Sequence, residues 1–265
     1  MFSIPLLVAL GFYAVSTVLY MLFLAGVSER IRPWARAMLV GGAVAHLAAI
    51  GYHHAWNRDP AITTPASLIN LGVFCVVVAY LVFHLALRTS GAGGVVAPFA
   101  AVVLGTLLNN TGVRVPGMKA VAVLTPVHIA MSAIGFACFA VAFTAAILRL
   151  IAEARLRERY GRGWPRLPAV STLDRAIFLA LRVGFPFYTI GIILGVVWAY
   201  WERGAGLLVA EYLLGVGVWV LFAVLILAFV RSGWRGRKAA VLVIAGFMAT
   251  LSIVLMYVFR RLNGP

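Results

Sequence analysis

The sequence predicts an all-α integral membrane protein, a polytopic bundle of about eight transmembrane helices. Apolar residues make up 64% of the 265 residues and charged residues only 11%. A soluble globular domain is nearer half apolar and a quarter charged. The mean hydropathy is +1.04, and the apolar residues form runs of about 20, the length at which a helix crosses the hydrocarbon core of a bilayer. Composition and run length therefore exclude an ordinary soluble domain.

Eight apolar runs follow one another with short polar links between them. They leave no stretch long enough for a soluble domain, so residues 1–265 are expected to form a single membrane domain. The first run lacks a basic n-region and is long enough to cross the bilayer, which predicts a retained span rather than a cleaved signal peptide. The fourth run is short and glycine-rich and is the weakest span. The runs are approximately Phe2–Gly26, Ala37–His53, Ser67–Leu87, Gly94–Leu108, Val121–Leu150, Ala176–Tyr200, Leu207–Val230 and Ala239–Phe259.

Basic residues predict how the bundle is oriented. With eight spans the links alternate between the two sides of the membrane, and one side receives sixteen of the 22 lysines and arginines. Because basic residues concentrate in cytoplasmic links, both termini are expected on the non-cytoplasmic side. Topology and contact with anionic lipid thereby explain the net charge of +15, without nucleic-acid binding. The expected location is a bacterial-type cytoplasmic (inner) membrane.

The ends of spans five and six carry recognisable signals. Thr125-Pro126 is typical of a helix cap followed by a first-turn proline. The link Ile151–Arg175 begins as a basic continuation of span five and is broken by glycines and prolines, and Ser171 or Thr172 is a plausible start for the sixth helix. The basic stretch has two interpretations, a collar that faces lipid headgroups and a docking segment for a cytoplasmic partner.

Four of the five histidines fall in the outer half of the predicted bundle. Ionisable side chains are rare in membrane spans and usually mark a functional path or a ligand. His46 lies mid-way along span two, and His53 follows seven residues later on the same helix face, about 10 Å further out. His54 is rotated away by about a quarter of a turn. His128 stands near the outward end of span five, above small residues that permit close approach of a helix or a flat ligand.

The other polar candidates indicate less. His84 sits near the cytoplasmic end of span three, apart from the rest. For every histidine the competing interpretation is a hydrogen bond to a neighbouring helix or a position at the interface. Cys75 and Cys138 lie in separate spans without a paired-cysteine motif, so they are expected to pack as small apolar residues. No nucleophile–base pair or metal cluster has a recognisable spacing, which predicts a protein that is not an enzyme.

From about Val121 onward the sequence resembles the cytochrome c assembly family (CcsA/CcmC-like), best within its shorter HemX-like branch. The similarity is strong in the second half and thin in the first four spans. In the first half it is carried by Ala45-His46 and Leu68-Ile69-Asn70-Leu71-Gly72. In the second half it is carried by Pro126-Val127-His128-Ile129-Ala130-Met131-Ser132, Leu173-Asp174-Arg175, Gly184-Phe185-Pro186-Phe187-Tyr188-Thr189-Ile190-Gly191-Ile192-Ile193-Leu194-Gly195-Val196-Val197-Trp198, Gly233-Trp234-Arg235-Gly236-Arg237-Lys238-Ala239-Ala240 and Ala245-Gly246-Phe247.

The resemblance implies a haem-binding or haem-handling bundle that works at the outer membrane face. Its cofactor would be b-type haem, and its partners would be apocytochrome or other cytochrome c assembly membrane proteins. His128 matches the family's axial haem ligand at the opening of span five. His46 resembles a histidine of the short branch, whereas His53 or His54 would answer to a membrane histidine of the long branch. The expected iron ligands are therefore His128 and either His46 or His53.

Aromatic and basic side chains of the outer links complete the expected haem site. Trp198, Trp201 and Trp56 would cover the porphyrin, and Arg58 or Arg114 could meet its propionates. Full haem-delivery members of the family carry a tryptophan-rich outer loop ending in Asp-Pro-Lys-Glu and a second outer histidine after their last span. This sequence departs from both features, so a complete cytochrome c synthase site is not expected.

Three functions compete at this point. The preferred one is a non-catalytic accessory or haem-delivery protein of cytochrome c assembly. The alternative is a HemX-like scaffold or regulator of tetrapyrrole synthesis that acts through a cytoplasmic protein partner without a bound cofactor. A transporter ranks last because it would need acidic residues within the spans, and only Glu211 qualifies.

Overall fold

The computed structural model describes residues 4–57, 65–87, 90–108, 124–157, 167–203 and 210–263, and within these ranges every regular element is helical. A short 3-10 turn at Ser90–Ala92 precedes the fourth helix. The helices are α1 (Ile4–Leu24), α2 (Ile31–Asn57), α3 (Pro65–Leu87), α4 (Gly93–Leu108), α5 (Leu124–Arg157), α6 (Val170–Arg203), α7 (Ala210–Ser232) and α8 (Arg237–Asn263). The predicted all-α bundle of about eight helices is confirmed.

Seven of these helices are long and apolar enough to cross a membrane, and α4 is a shorter apolar helix. The fourth span, expected to be the weakest, is therefore the one that falls short of a full crossing length. The helices α5 and α6 have 34 residues each. At 1.5 Å per residue, a helix of this length measures about 50 Å, well beyond a hydrocarbon core of about 30 Å. Both helices therefore extend past the membrane core.

The fifth helix lies at the centre of the bundle and packs against α3, α6 and α8. In its apolar window 67% of the residues are buried, against 28–33% in the other six spans. A second group of contacts joins α1 to α2 and to α4. Helices that expose apolar residues outward and bury a minority of their surface suit a lipid environment, where the tails are as apolar as the side chains.

Glycines bring the backbones of α5 and α6 close together. A Cβ added at Gly135 would lie 3.0 Å from the backbone nitrogen of Tyr188. On the facing helix, a Cβ added at Gly184 would lie 2.6 Å from Cβ of Cys138. Small residues at such crossings allow the close backbone approach that drives helix association in membranes. The α5–α6 pair is therefore a tightly packed unit with little room for added side chains.

A buried ion cluster ties α5 to α6 at the predicted cytoplasmic end. Arg149, which is 6% exposed, pairs with Glu153 one turn later and, through Nε at 2.7 Å, with Asp174 near the start of α6. The turn before α8 lies against the same arginine, since a Cβ at Gly236 would be 3.4 Å from its guanidinium. Helix α6 begins at Val170, within two residues of its predicted start. The cluster therefore fixes three helices at the predicted cytoplasmic end.

Candidate functional site at His128

The His128 side chain is held against α6 by a hydrogen bond. His128 lies four residues into α5, and its Nδ1 is 2.8 Å from the carbonyl oxygen of Gly191. Because a carbonyl oxygen only accepts, Nδ1 carries the proton and donates it. In the neutral ring the lone pair is then on Nε2, for which the described residues contain no hydrogen-bond partner. The residue is partly exposed, and Nε2 is the ring nitrogen left for a metal to reach.

The α6 surface beneath the imidazole is bare because of two glycines. A Cβ added at Gly195 would lie 2.9 Å from Cε1 of His128, 3.4 Å from Nδ1 and 3.7 Å from Nε2. A Cβ added at Gly191 would lie 2.7 Å from Oγ of Ser132, one turn below His128 on α5. In the sequence these glycines belong to the longer segment Gly184–Trp198 that resembles the family. Their four-residue spacing, a small-xxx-small pattern in a membrane helix, is the signal that marks them.

His46 is part of a closed polar network between α1, α2 and α3. The ring is fully buried, at 0% exposure. Its Nε2 lies 2.8 Å from Oδ1 of Asn70 and its Nδ1 lies 3.2 Å from the hydroxyl of Tyr13. The amide oxygen accepts, so Nε2 donates to it and Nδ1 accepts from the tyrosine. The ring also contacts Phe74 edge-on. Both nitrogens are thus occupied, and ligation of iron by His46 would require one of these bonds to break.

The two predicted haem ligands contact different parts of the bundle. Among the described residues, the hydrogen bonds of His46 lead to α1 and α3, and the hydrogen bond of His128 leads to α6. His53 lies on α2 seven residues after His46, about 10 Å further along the axis. The backbones of Trp198 and Trp201 belong to α6.

Other members of the predicted site fall outside the described part of the chain. Arg58 and Arg114 lie outside the described residues. The side chains of His53, His54, Trp56, Trp198 and Trp201 also lie outside them.

His84 lies in the last turn of α3, away from the other histidines as expected. It is 6% exposed, and its Nε2 is 3.3 Å from a guanidinium nitrogen of Arg36 on α2. The rings of Tyr80 and His84 are 5.9 Å apart, and the Tyr80 hydroxyl is 3.4 Å from that of Tyr20 on α1. This second polar cluster joins α1, α2 and α3 at the predicted cytoplasmic end and is distinct from the His128 site.

The donor set at His128 fits a haem better than a bare metal ion. Among the described residues, no group of three or more histidines, cysteines or carboxylates could hold a metal ion. Haem iron already has four porphyrin nitrogens and needs only one or two protein ligands. A partly exposed imidazole with its Nδ1–H on a backbone carbonyl is a typical arrangement of a metal-ligating histidine. His128 therefore fits the group, whereas His46 in its present hydrogen bonds does not.

The model of one protein family, described as cytochrome C assembly protein, matches residues 4–263. That range takes in all eight helices, the His128 site and the His46 network. The chain belongs to the cytochrome c assembly protein family. The resemblance predicted from the sequence is thus confirmed at the level of the family, while its shorter HemX-like branch stays a prediction.

Curated relatives match a smaller part of the chain. Cytochrome c biogenesis protein CcsA of Microcystis aeruginosa is 36% identical over 89 residues, which is 31% of this chain and 26% of the relative. The CcsA protein of Synechocystis sp. is 36% identical over 88 residues, 31% of this chain and 25% of the relative. That of Nostoc sp. is 35% identical over 89 residues, with 31% and 24% covered. The matched stretch thus spans about a quarter of each relative's length.

Proposed function

We propose that this protein binds or handles haem at the outer membrane face during cytochrome c assembly. The observation that carries the proposal is the 2.8 Å hydrogen bond from Nδ1–H of His128 to the Gly191 carbonyl. It leaves Nε2 as a metal-ligating lone pair on a partly exposed ring. Membership of the cytochrome c assembly family and the names of the CcsA relatives support the same role.

His128 is proposed to ligate the iron of b-type haem through Nε2. The second ligand is proposed to be His53, because both ring nitrogens of His46 are occupied by Tyr13 and Asn70. His46 stays the other candidate ligand, available only if one of those hydrogen bonds opens. When bound, the haem would supply an iron centre held by His128 and by one further histidine.

The surrounding side chains have proposed roles in binding rather than in catalysis. Trp198 and Trp201, near the C-terminal end of α6, would cover the porphyrin face, together with Trp56. Arg58 or Arg114 would pair with the propionates, because guanidinium–carboxylate pairs are strong and directional. The protein is proposed to be a non-enzymatic component of an inner membrane, with apocytochrome or other assembly proteins as partners. The relatives' names favour this role over regulation of tetrapyrrole synthesis.

A haem titration of purified protein in detergent tests the proposal. The wild type should show a saturable Soret band with bis-histidine features, and His128→Ala should weaken binding by at least tenfold, because loss of an axial ligand removes a direct iron bond. His53→Ala should remove the bis-histidine spectrum. The matched control is His84→Ala. It removes a histidine from the last turn of α3, away from the His128 site, and should leave the titration unchanged.

Three outcomes would contradict the proposal in whole or in part. A wild type without any Soret band after haem loading would remove haem binding altogether. Equal haem affinity of the wild type and His128→Ala would exclude His128 as an iron ligand. Loss of the bis-histidine spectrum in His46→Ala but not in His53→Ala would assign the second ligand to His46 instead.

A further inference from the structure

We infer that Gly191 and Gly195 of α6 are positioning residues that hold His128 as its Nδ1-protonated tautomer, with Nε2 presented to the ligand. The inference concerns the protein without haem, and only its consequence for iron affinity rests on the proposed function. Two independent features of α6 act on the His128 ring. The Gly191 carbonyl accepts its hydrogen bond, and the missing side chain of Gly195 leaves the space that the ring occupies.

The carbonyl of Gly191 selects the tautomer. A nitrogen 2.8 Å from a carbonyl oxygen must carry a proton, because two lone pairs at that distance repel each other. His128 and Gly191 lie on two helices that are long and apolar enough to span a membrane, and a low dielectric strengthens a formed hydrogen bond and penalises an unformed one. The Nδ1–H tautomer of His128 is therefore favoured over the Nε2–H tautomer.

The missing side chain of Gly195 gives the ring the position in which that bond can form. A Cβ there would lie 2.9 Å from Cε1 of His128, whereas ordinary van der Waals contact begins at 3.4 Å. The imidazole would have to retreat by about half an ångström. The retreat would be away from α6, and the 2.8 Å bond to Gly191 would lengthen toward the limit of a useful hydrogen bond. Any residue larger than glycine at position 195 therefore weakens the hydrogen bond that holds the His128 ring against α6.

A fixed Nδ1–H matters for a ligating histidine. Donation of that proton to a carbonyl orients the ring and raises the basicity of the other nitrogen. Loss of such an outer partner lowers metal affinity typically 10- to 100-fold. Gly191 and Gly195 would thus set the affinity of the site without touching the iron.

Glycines elsewhere in the bundle separate this role from simple helix packing. Gly135 is equally tight, but it faces the backbone of Tyr188 and not the His128 ring. An added Cβ at Gly217 on α7 meets nothing within 4 Å. Gly135→Ala is therefore the control for disturbed α5–α6 packing, and Gly217→Ala is the control for a harmless methyl group.

The test is nitrogen-15 NMR of protein without haem, labelled only in its histidines, with His128→Gln used to assign the His128 signals by difference. The wild type should show a protonated Nδ1 and an unprotonated Nε2. Gly195→Ala should lose that signature and become a tautomer mixture, while Gly135→Ala and Gly217→Ala keep it. A wild-type Nε2–H tautomer would overturn the inference even if Gly195→Ala fails to fold. An unchanged spectrum in a folded Gly195→Ala protein would overturn it as well.

A haem titration of the same proteins gives the second readout. Gly195→Ala should bind haem about tenfold more weakly or worse, and Gly217→Ala should match the wild type. Because the tautomer is read in the absence of haem, the two proposals fail separately. The predicted tautomer in a protein that binds no haem supports the inference and removes the proposed function. Tight haem binding by a protein with the other tautomer does the reverse.

Discussion

Removal of the Asn70 side chain should destabilise the bundle while haem binding is retained. In Asn70→Ala the Nε2–H of His46, now 2.8 Å from Oδ1, would lose its partner inside a site with 0% exposure. A buried donor left unpaired costs about 1–3 kcal/mol, while interhelical hydrogen bonds in membranes average about 0.6 kcal/mol and reach about 1.7. We expect the free energy of unfolding to fall by about 1.5 kcal/mol. This is at the upper end of the values for hydrogen bonds in membranes, because the replacement also leaves a small cavity.

The hydrogen bond between Tyr13 and His46 should contribute less to stability than the one between Asn70 and His46. The Tyr13 hydroxyl is 3.2 Å from Nδ1 of His46, a longer contact, and Tyr13→Phe leaves an acceptor without its donor but keeps the ring. We expect a loss of about 0.5 kcal/mol. The double variant should lose less than the sum, because both bonds orient the same imidazole. Ser252→Ala, which removes an exposed hydroxyl bonded to its own helix, is the control and should change nothing.

Reversible unfolding in mixed micelles with increasing dodecyl sulfate measures these differences. Labelling of the buried Cys138 by a maleimide dye reports the same unfolding independently. Each variant is also loaded with haem. Unchanged stability of Asn70→Ala together with a lost Soret band would refute the reasoning, since it would make Asn70 an orienting partner of an iron-bound His46 and not part of a packing network.

Two further predictions concern packing at the predicted cytoplasmic end. Arg149→Gln should lower the free energy of unfolding by about 2 kcal/mol. This is less than the usual loss of about 3–5 kcal/mol for a broken buried pair, because the Glu153 and Asp174 side chains keep 22% and 15% exposure. Unfolding titrations measure the loss, and a value below about 0.5 kcal/mol would contradict a role of Arg149 in holding these helix ends together. Gly93→Ala should cost about 1–3 kcal/mol, because the new methyl group would overlap the ring of Tyr20; a thermal midpoint equal to that of wild type would contradict this contact.

The number and place of the helices could be predicted from the sequence because apolar run length reports directly on the bilayer. The weakness of the fourth run was also visible, and α4 is the short helix. The start of α6 could also be predicted, at Ser171 or Thr172, and the helix begins at Val170. The partner of Asp174 could not be predicted: its carboxylate pairs with Arg149 of α5. Such an ion pair joins two helices in the folded protein, and the spacing of residues in the sequence does not reveal it.

The histidines show where prediction from the sequence ends. Helical spacing correctly placed His46 on α2 and His128 near the start of α5. It could not show that both nitrogens of His46 are occupied by Tyr13 and Asn70, since these partners lie on other helices. Nor did it single out Gly195, whose importance comes from a ring on the facing helix. Hydrogen-bond status, which decides whether an imidazole can ligate iron, required three-dimensional packing.

Chemical rescue of His128→Gly tests the central claim, that Nε2 of His128 ligates haem iron. Replacement by glycine removes the imidazole and leaves its space beside Gly195 open. The variant should lose the bis-histidine Soret spectrum, and added free imidazole should restore it in a saturable manner, while His84→Gly should keep the wild-type spectrum throughout. A His128→Gly protein that keeps the wild-type spectrum without imidazole, or one that added imidazole never restores although it is folded, would contradict the assignment.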